Sequence, residues 1–352
     1  MARNKYLHII IGLLLAGAGL YIFFRGDDAV LETLASEMAG TSAVSVAVCA
    51  ALAIFSMWLR AVRLGIMLPD EPPPADGKPA PAAGGRPPRS KRGLFAITTV
   101  SYMINNILPA RLGEAARVFL MWKRNGFPVT VCIGALILER ALDTLAYLSF
   151  IFIPIWLSPQ IAASLRALNP AAPAVVWLAF AAFAAVAGMF ALYALVPRLF
   201  RAAARRAAKL LPPKAGAAAG KIGEELESGL DWIFSPRKAV AVITLTWATA
   251  MCYAVMLPIL IADWSAFGPL EAIFGQAFAA FGSAIPLAPG AVGTLHAVLL
   301  QGLAMMGVEV GKARAVVVLY HGLQYAVITL AGLMLLAGMG VKIKDITQKS
   351  EP

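Results

Sequence analysis

Asn105-Asn106-Ile107-Leu108-Pro109-Ala110-Arg111-Leu112-Gly113-Glu114-Ala115-Ala116-Arg117 is the stretch on which the fold turns. It sets three charges, a proline and a glycine inside a chain that otherwise reads as bilayer-spanning. Charge is expensive in hydrocarbon, and irregular backbone survives there only inside protein or against a wet cavity. Arg111, Glu114 and Arg117 recur every third residue, so on a helix they lie near one face and can pair.

The rest of the chain supplies the membrane context. Of 352 residues, 60% are hydrophobic and 14% are charged, against about 25% charged in a soluble domain. Apolar runs at 7–24, 42–59, 130–157, 173–196, 239–261 and 314–338 each approach or exceed the ~20 residues that cross a bilayer as a helix. Arg3 and Lys5 precede the first run, which is longer than a signal-peptide core and reads as a retained span. Two more apolar regions, 94–109 and 271–307, are interrupted, the second by Pro286, Pro289, Gly290 and Gly293. The expected fold is all-α: a polytopic membrane helix bundle of about six full spans plus two interrupted or re-entrant helical hairpins.

Basic residues set the orientation. The N-terminus, 60–93, 111–125, 198–238 and the C-terminal tail hold 25 of the 30 Lys and Arg. The loops near 25–41, 158–172 and 262–270 hold only Arg25 and Arg166. The positive-inside rule puts both termini in the cytoplasm. Region 94–124 lies between two basic segments, so it makes an even number of crossings, as a dipping hairpin or two short spans. Region 271–307 enters and leaves by the opposite face. Opposed broken hairpins suggest the inverted repeats of transporters, although no residue-by-residue repeat is legible.

The chain reads as one integral-membrane domain over 1–345. Segment 69–93, rich in Pro, Ala and Gly, reads as a disordered cytoplasmic linker. Segment 198–238 reads as a basic cytoplasmic amphipathic segment, either an interfacial helix on anionic headgroups or a solvated loop. The net charge of +11 follows topology, with no aromatic-interleaved platform, so nucleic acid is not an expected partner. Cys49, Cys132 and Cys252 fall in apolar runs without metal-ligand spacing and read as core residues. No metal or cofactor is expected.

Several polar groups need a reason. Glu139, Arg140 and Asp143 lie about mid-membrane in the third clear span. An Arg140–Asp143 pair at i,i+3 would offset part of their burial, and Glu139 needs another partner, Arg111 or Arg117. The set is either a buried ion cluster that fixes packing or a polar path for a headgroup, proton or ion. Pro289, Gly290 and Gly293 make either a packing kink or a cavity wall. His296 follows on the same element and reads first as hydrogen-bonded structure, as does His321 beside Tyr320. Trp58, Arg60 and Arg63 close the second span and read first as an aromatic and basic interface anchor, with substrate contact as the alternative.

These residues carry a resemblance. Residues 105–117 resemble the signature of the lysylphosphatidylglycerol synthase transmembrane region, the flippase-like domain family. Trp58-Leu-Arg60-Ala-Val-Arg63, Glu139-Arg140-Ala-Leu-Asp143 and Pro289-Gly290-Ala-Val-Gly293-Thr-Leu-His296 are similar to three further family elements in order. His296 departs from the Glu that many members carry. The resemblance implies a bacterial inner-membrane protein that moves a phospholipid, hopanoid or polyprenyl or glycolipid precursor between leaflets. Its partners would be membrane lipids with an anionic or phosphate-bearing headgroup, and lipid-biosynthesis proteins. Residues after the last span are too few for the synthase's aminoacyl-transfer domain, so that activity is not carried over. The implied substrate-binding set is Asn105, Asn106, Pro109, Arg111, Gly113, Glu114, Arg117, Glu139, Arg140, Asp143, Pro289, Gly290, Gly293 and His296, with no catalytic residue. A headgroup transferase using Glu114, Glu139 or Asp143 as base, and a non-catalytic scaffold of a lipid-synthesis complex, are the alternatives.

Overall fold

A computed structural model describes residues 30–71, 90–108, 111–168, 172–198, 229–262, 267–284 and 289–339, with isolated positions within 17–21 and 202–223. Eleven helices are described at length: α1 (Val30–Gly40), α2 (Ala43–Met67), α3 (Lys91–Ile107), α4 (Leu112–Asn125), α5 (Val129–Leu157), α6 (Pro159–Leu168), α7 (Ala172–Leu195), α8 (Pro236–Ile261), α9 (Pro269–Ala284), α10 (Thr294–Met305) and α11 (Val310–Met339). The described residues contain no strand. Five of the six expected spans appear as α2, α5, α7, α8 and α11. The run at 7–24 lies outside the described residues, as do Pro109, most of 69–93 and most of 198–238. At the edges of those two segments, Ser90 N-caps α3 and 91–93 are already helical, while α8 begins at Pro236.

Local chemistry sets the boundaries. Ser42 starts α2 by accepting from the Val44 N–H, and α2 stops at Leu68, whose extended backbone precedes Pro69. Pro236 and Pro269 occupy first helical positions, where a missing N–H is harmless. After α5, Ser158 accepts from the Ile161 N–H at 3.3 Å and the chain bends by 101° into α6. Among the described residues α2, α8, α11 and 176–195 of α7 are long and apolar enough to cross a membrane, and the bent α5–α6 pair makes a fifth such element. Trp177, Leu178 and Leu195 of α7, and Leu330 and Met334 of α11, stay exposed. In hydrocarbon such faces carry no hydrophobic penalty, so only polar and close-packed faces must turn inward.

The two interrupted regions are helical hairpins. α3 packs along α4 and α9 along α10, and at 17, 14, 16 and 12 residues none reaches a full span alone. Each closes on a glycine. A Cβ on Gly113 would lie 1.9 Å from the Ser101 carbonyl oxygen, and one on Gly282 would lie 2.7 Å from Leu295 Cα. The tips share a backbone device. Pro109-Ala-Arg111-Leu-Gly113 and Pro289-Gly-Ala291-Val-Gly293 have the same spacing, and Arg111 and Ala291 both adopt positive φ, 53° and 58°.

The packing repeats as well. α2 lies against α8 at the centre. α3 packs on α11 and α9 on α5. α1 packs on α11 and α7 on α5. α4 neighbours α5, and α10 neighbours α11. Exchanging α1–α5 with α7–α11 maps each principal helix pair onto another, leaving α6 as the connector. By its helix packing the described bundle is two repeats, and the Pro-x-x-x-Gly spacing recurs at both tips. If each hairpin returns to the face it enters, the repeats run in opposite directions.

The hairpin closure gives a direct test. Gly113→Ala should lower the thermal midpoint of the detergent-solubilised protein, a loss of about 1–3 kcal/mol for overpacking against rigid backbone. Gly188→Ala, where no atom lies within 4 Å of the added carbon, should leave the midpoint unchanged or slightly higher.

Candidate functional site

Six ionised side chains meet in the bundle interior. Arg63, fully buried, reaches Glu139 at 2.9 Å and Asp143 at 2.6 Å. Arg60 reaches Asp143 at 3.1 Å. Arg117 reaches the other Glu139 oxygen at 2.9 Å. Arg140 touches both acids, at 3.5 Å to Glu139 and 3.3 Å to Asp143. The expected Arg140–Asp143 pair is present, and the partner that Glu139 requires is Arg117 together with Arg63, not Arg111. Neutral groups extend the network: Arg63 donates to Thr246 Oγ1 at 3.0 Å and Arg140 to the Tyr102 hydroxyl at 3.1 Å. The cluster so joins α2, α3, α4, α5 and α8.

Arg60 and Arg63 correct the interface-anchor reading. α2 runs on through Leu64-Gly-Ile-Met67, so the two arginines lie inside the helix rather than at its end. Both are buried. Trp58, on another face, packs on Phe95 with ring centroids 5.8 Å apart, at an outward apolar groove. Their three-residue spacing, which points both arginines to one side of a helix, is the signal that could have placed them in the interior.

Beside the cluster lies a cavity of about 430 Å³. Arg60, Arg140 and Asp143 form one wall, with Tyr102 and Tyr147. The Arg60 guanidinium sits 5.1 Å from the Tyr102 ring centroid, a cation–π contact strengthened by exclusion of water. Tyr253, Gln276, Tyr320, His321, Gln324 and Tyr325 also line it, with the Tyr253 ring centroid 6.0 Å from the Arg60 guanidinium. None of these six was among the expected substrate contacts. They come from α8, α9 and α11 and carry no local motif.

The hairpin tips meet at this cavity. Arg111 donates to the Ser283 and Ala284 carbonyls at 3.3 and 3.1 Å, at the end of α9. Those carbonyls have no intrahelical donor, and a cation there is favoured by the helix dipole. Arg111 also pairs with Glu114 at 3.6 Å. Thus Arg111, Glu114 and Arg117 do not form one ladder: Arg111 is a left-handed cap before the helix begins, and Arg117 turns inward to Glu139. The Tyr325 hydroxyl donates to the Asn106 carbonyl at 3.1 Å, and Asn106 Nδ2 donates to Thr329 Oγ1 at 3.1 Å. Asn105 Oδ1 accepts from the Gly113 N–H at 2.8 Å, pinning the first hairpin.

The expected set therefore divides. Asn105, Asn106, Arg111, Glu114, Arg140, Asp143 and Gly290 line the cavity. Arg117 and Glu139 stand behind it as ion partners. Gly113 holds the first hairpin closed, Pro289 opens the turn of the second tip, and Gly293 caps α10. His296 Nδ1 accepts from the Gly293 N–H at 3.2 Å, and its ring lies 4.8 Å from that of His321, which lines the cavity and hydrogen-bonds the Gly290 backbone. The hydrogen-bonded reading of His296 agrees with this geometry.

Long apolar helices and a charged interior define a multi-pass membrane protein. The sequence profile of the lysylphosphatidylglycerol synthase TM region matches residues 9–332, and the chain belongs to that family, which points to a membrane-lipid function. No curated protein and no solved structure matches the chain.

Removing one partner of a buried ion pair strands the other. Glu139→Gln should destabilise the protein by about 3–5 kcal/mol, seen as a lowered thermal midpoint. Adding Arg117→Met should recover part of that loss, because the stranded cation goes with it. Simple additivity of the two substitutions would refute the coupling.

Proposed function

We propose that the protein translocates a lipid with an anionic headgroup between the leaflets of a bacterial inner membrane, with its termini in the cytoplasm. The observation that carries this is an arginine-walled cavity at the junction of two broken hairpins within an apolar bundle. A charged headgroup crossing hydrocarbon needs such a polar chamber, while its acyl chains can remain in lipid. Arg140 and Arg111, each with about a third of its side chain exposed (34% and 33%), are placed to meet a phosphate. Guanidinium forks suit phosphate oxygens and form charge-assisted hydrogen bonds.

The tips offer a gate. Arg111 bridges from one hairpin to the last carbonyls of α9. A phosphate that draws Arg111 away would loosen that joint and admit the headgroup. The headgroup-transferase reading has less support, because Glu139, Asp143 and Glu114 are each held by at least one arginine. A carboxylate held in this way is a poor base.

The test is reconstitution in liposomes with fluorescent anionic lipids and a membrane-impermeant quencher. Wild type should expose inner-leaflet label. Arg111→Ala and Arg140→Ala should slow exposure by about tenfold or more, the loss of one hydrogen bond to a charged group. Wild-type vesicles no faster than protein-free ones would end the translocase reading. Unaltered rates in both variants would remove the cavity from the route.

A further inference from the structure

The ion cluster is not electrically balanced. Among the described residues, Arg60, Arg63, Arg117 and Arg140 surround only two carboxylates, Glu139 and Asp143. Guanidinium does not deprotonate in proteins, so the cluster holds an excess of two positive charges. Arg111 and Glu114 pair with each other and cancel. The remaining polar lining, Tyr253, Gln276, Tyr320, His321, Gln324 and Tyr325, supplies no carboxylate. Uncompensated charge in a low-dielectric interior is strongly unfavourable.

The excess is directed at the cavity. Arg60 and Arg140 are the two cluster arginines that line it. Both also ion-pair with Asp143, which lines the same cavity. Arg63 and Arg117 stand behind, contributing field rather than contact.

We infer that the cavity selects a compact dianion: a lipid headgroup ending in a phosphomonoester or a diphosphate, in preference to a monoanionic phosphodiester. This rests on the anionic-headgroup reading above and sharpens it. A phosphodiester carries one negative charge and leaves half of the excess uncompensated. A phosphomonoester or diphosphate neutralises both charges and offers several oxygens to the Arg60 and Arg140 forks. Tyrosine hydroxyls and the amides of Gln276 and Gln324 can hydrogen-bond the remaining atoms without adding charge.

The experiment uses the full chain in phosphatidylcholine vesicles, with labelled phosphatidate and labelled phosphatidylglycerol of identical acyl chains. At pH 8 the initial rate for phosphatidate should exceed that for phosphatidylglycerol by about tenfold or more. At pH 5 the preference should shrink toward parity, because the second ionisation of a phosphomonoester lies near pH ~6. His321, with His296 4.8 Å from it, lines the cavity together with the charged groups Arg60, Arg111, Arg140, Asp143 and Glu114. Phosphatidylglycerol, whose charge is constant, separates a change in the protein from a change in the lipid. Arg140→Gln should collapse the preference, and Arg140→Lys should keep most of it.

Equal rates for the two lipids, both lost in Arg140→Gln, would overturn dianion selection and leave the anionic-headgroup reading standing. No movement of either lipid overturns both. A preference that survives Arg140→Gln also rejects the inference. So does inhibition by inorganic pyrophosphate without any preference between the lipids, which assigns the site to a soluble anion.

Discussion

The bundle is organised by a requirement that arises only in a membrane: a charged side chain that enters must find its partners inside. Asp143 and Glu139 project from one face of α5 and together engage two arginines of α2, one of α4 and one of α5 itself. Thr246 of α8 and Tyr102 of α3 complete the shell. Because apolar helices gain little by leaving lipid for one another, these directional contacts decide which faces meet. The surrounding close approaches, Gly113 on Ser101 and Gly332 on Met103, let α4 and α11 come within reach of α3.

The hairpins follow from the same constraint. A broken helix exposes carbonyl and amide groups that hydrocarbon cannot satisfy. Here each tip is met by the other repeat: Arg111 answers the end of α9, and Tyr325 of α11 donates to the Asn106 carbonyl of the first hairpin. Mutual completion explains why both breaks sit beside one cavity. It also explains the shared Pro-x-x-x-Gly spacing and the matching positive-φ residues, since both tips solve one geometric problem. A joint made of a few hydrogen bonds between two tips is weaker than the packed helix pairs around it, so movement in the bundle should begin there.

Much of this was legible in the sequence. The five described spans, both hairpins and the Arg140–Asp143 pair follow from apolar run length, helix breakers and i,i+3 spacing. The pairing of Arg117 with Glu139 was one of two candidates, and geometry chose it because Arg111 lies before the first turn of α4 and is drawn to α9. Arg60 and Arg63 were misread because an arginine near the end of an apolar run resembles an interface anchor. The distinction lay in how far the helix continued. The rest of the cavity lining was illegible because Tyr253, Gln276, Tyr320 and Gln324 are unremarkable polar residues spread over three helices.

By itself, then, the sequence determined that the protein is an all-helical membrane bundle with charge committed to its interior and two helices broken at defined points. Hydrophobic length, proline, glycine and charge act locally, and a linear chain displays them in full. Only the tertiary structure decided that four arginines share two carboxylates, that the hairpin tips touch, and that a cavity opens beside them. Those are properties of which faces meet across large sequence separations. The electrostatic excess they create exists only once the partners have been counted in space.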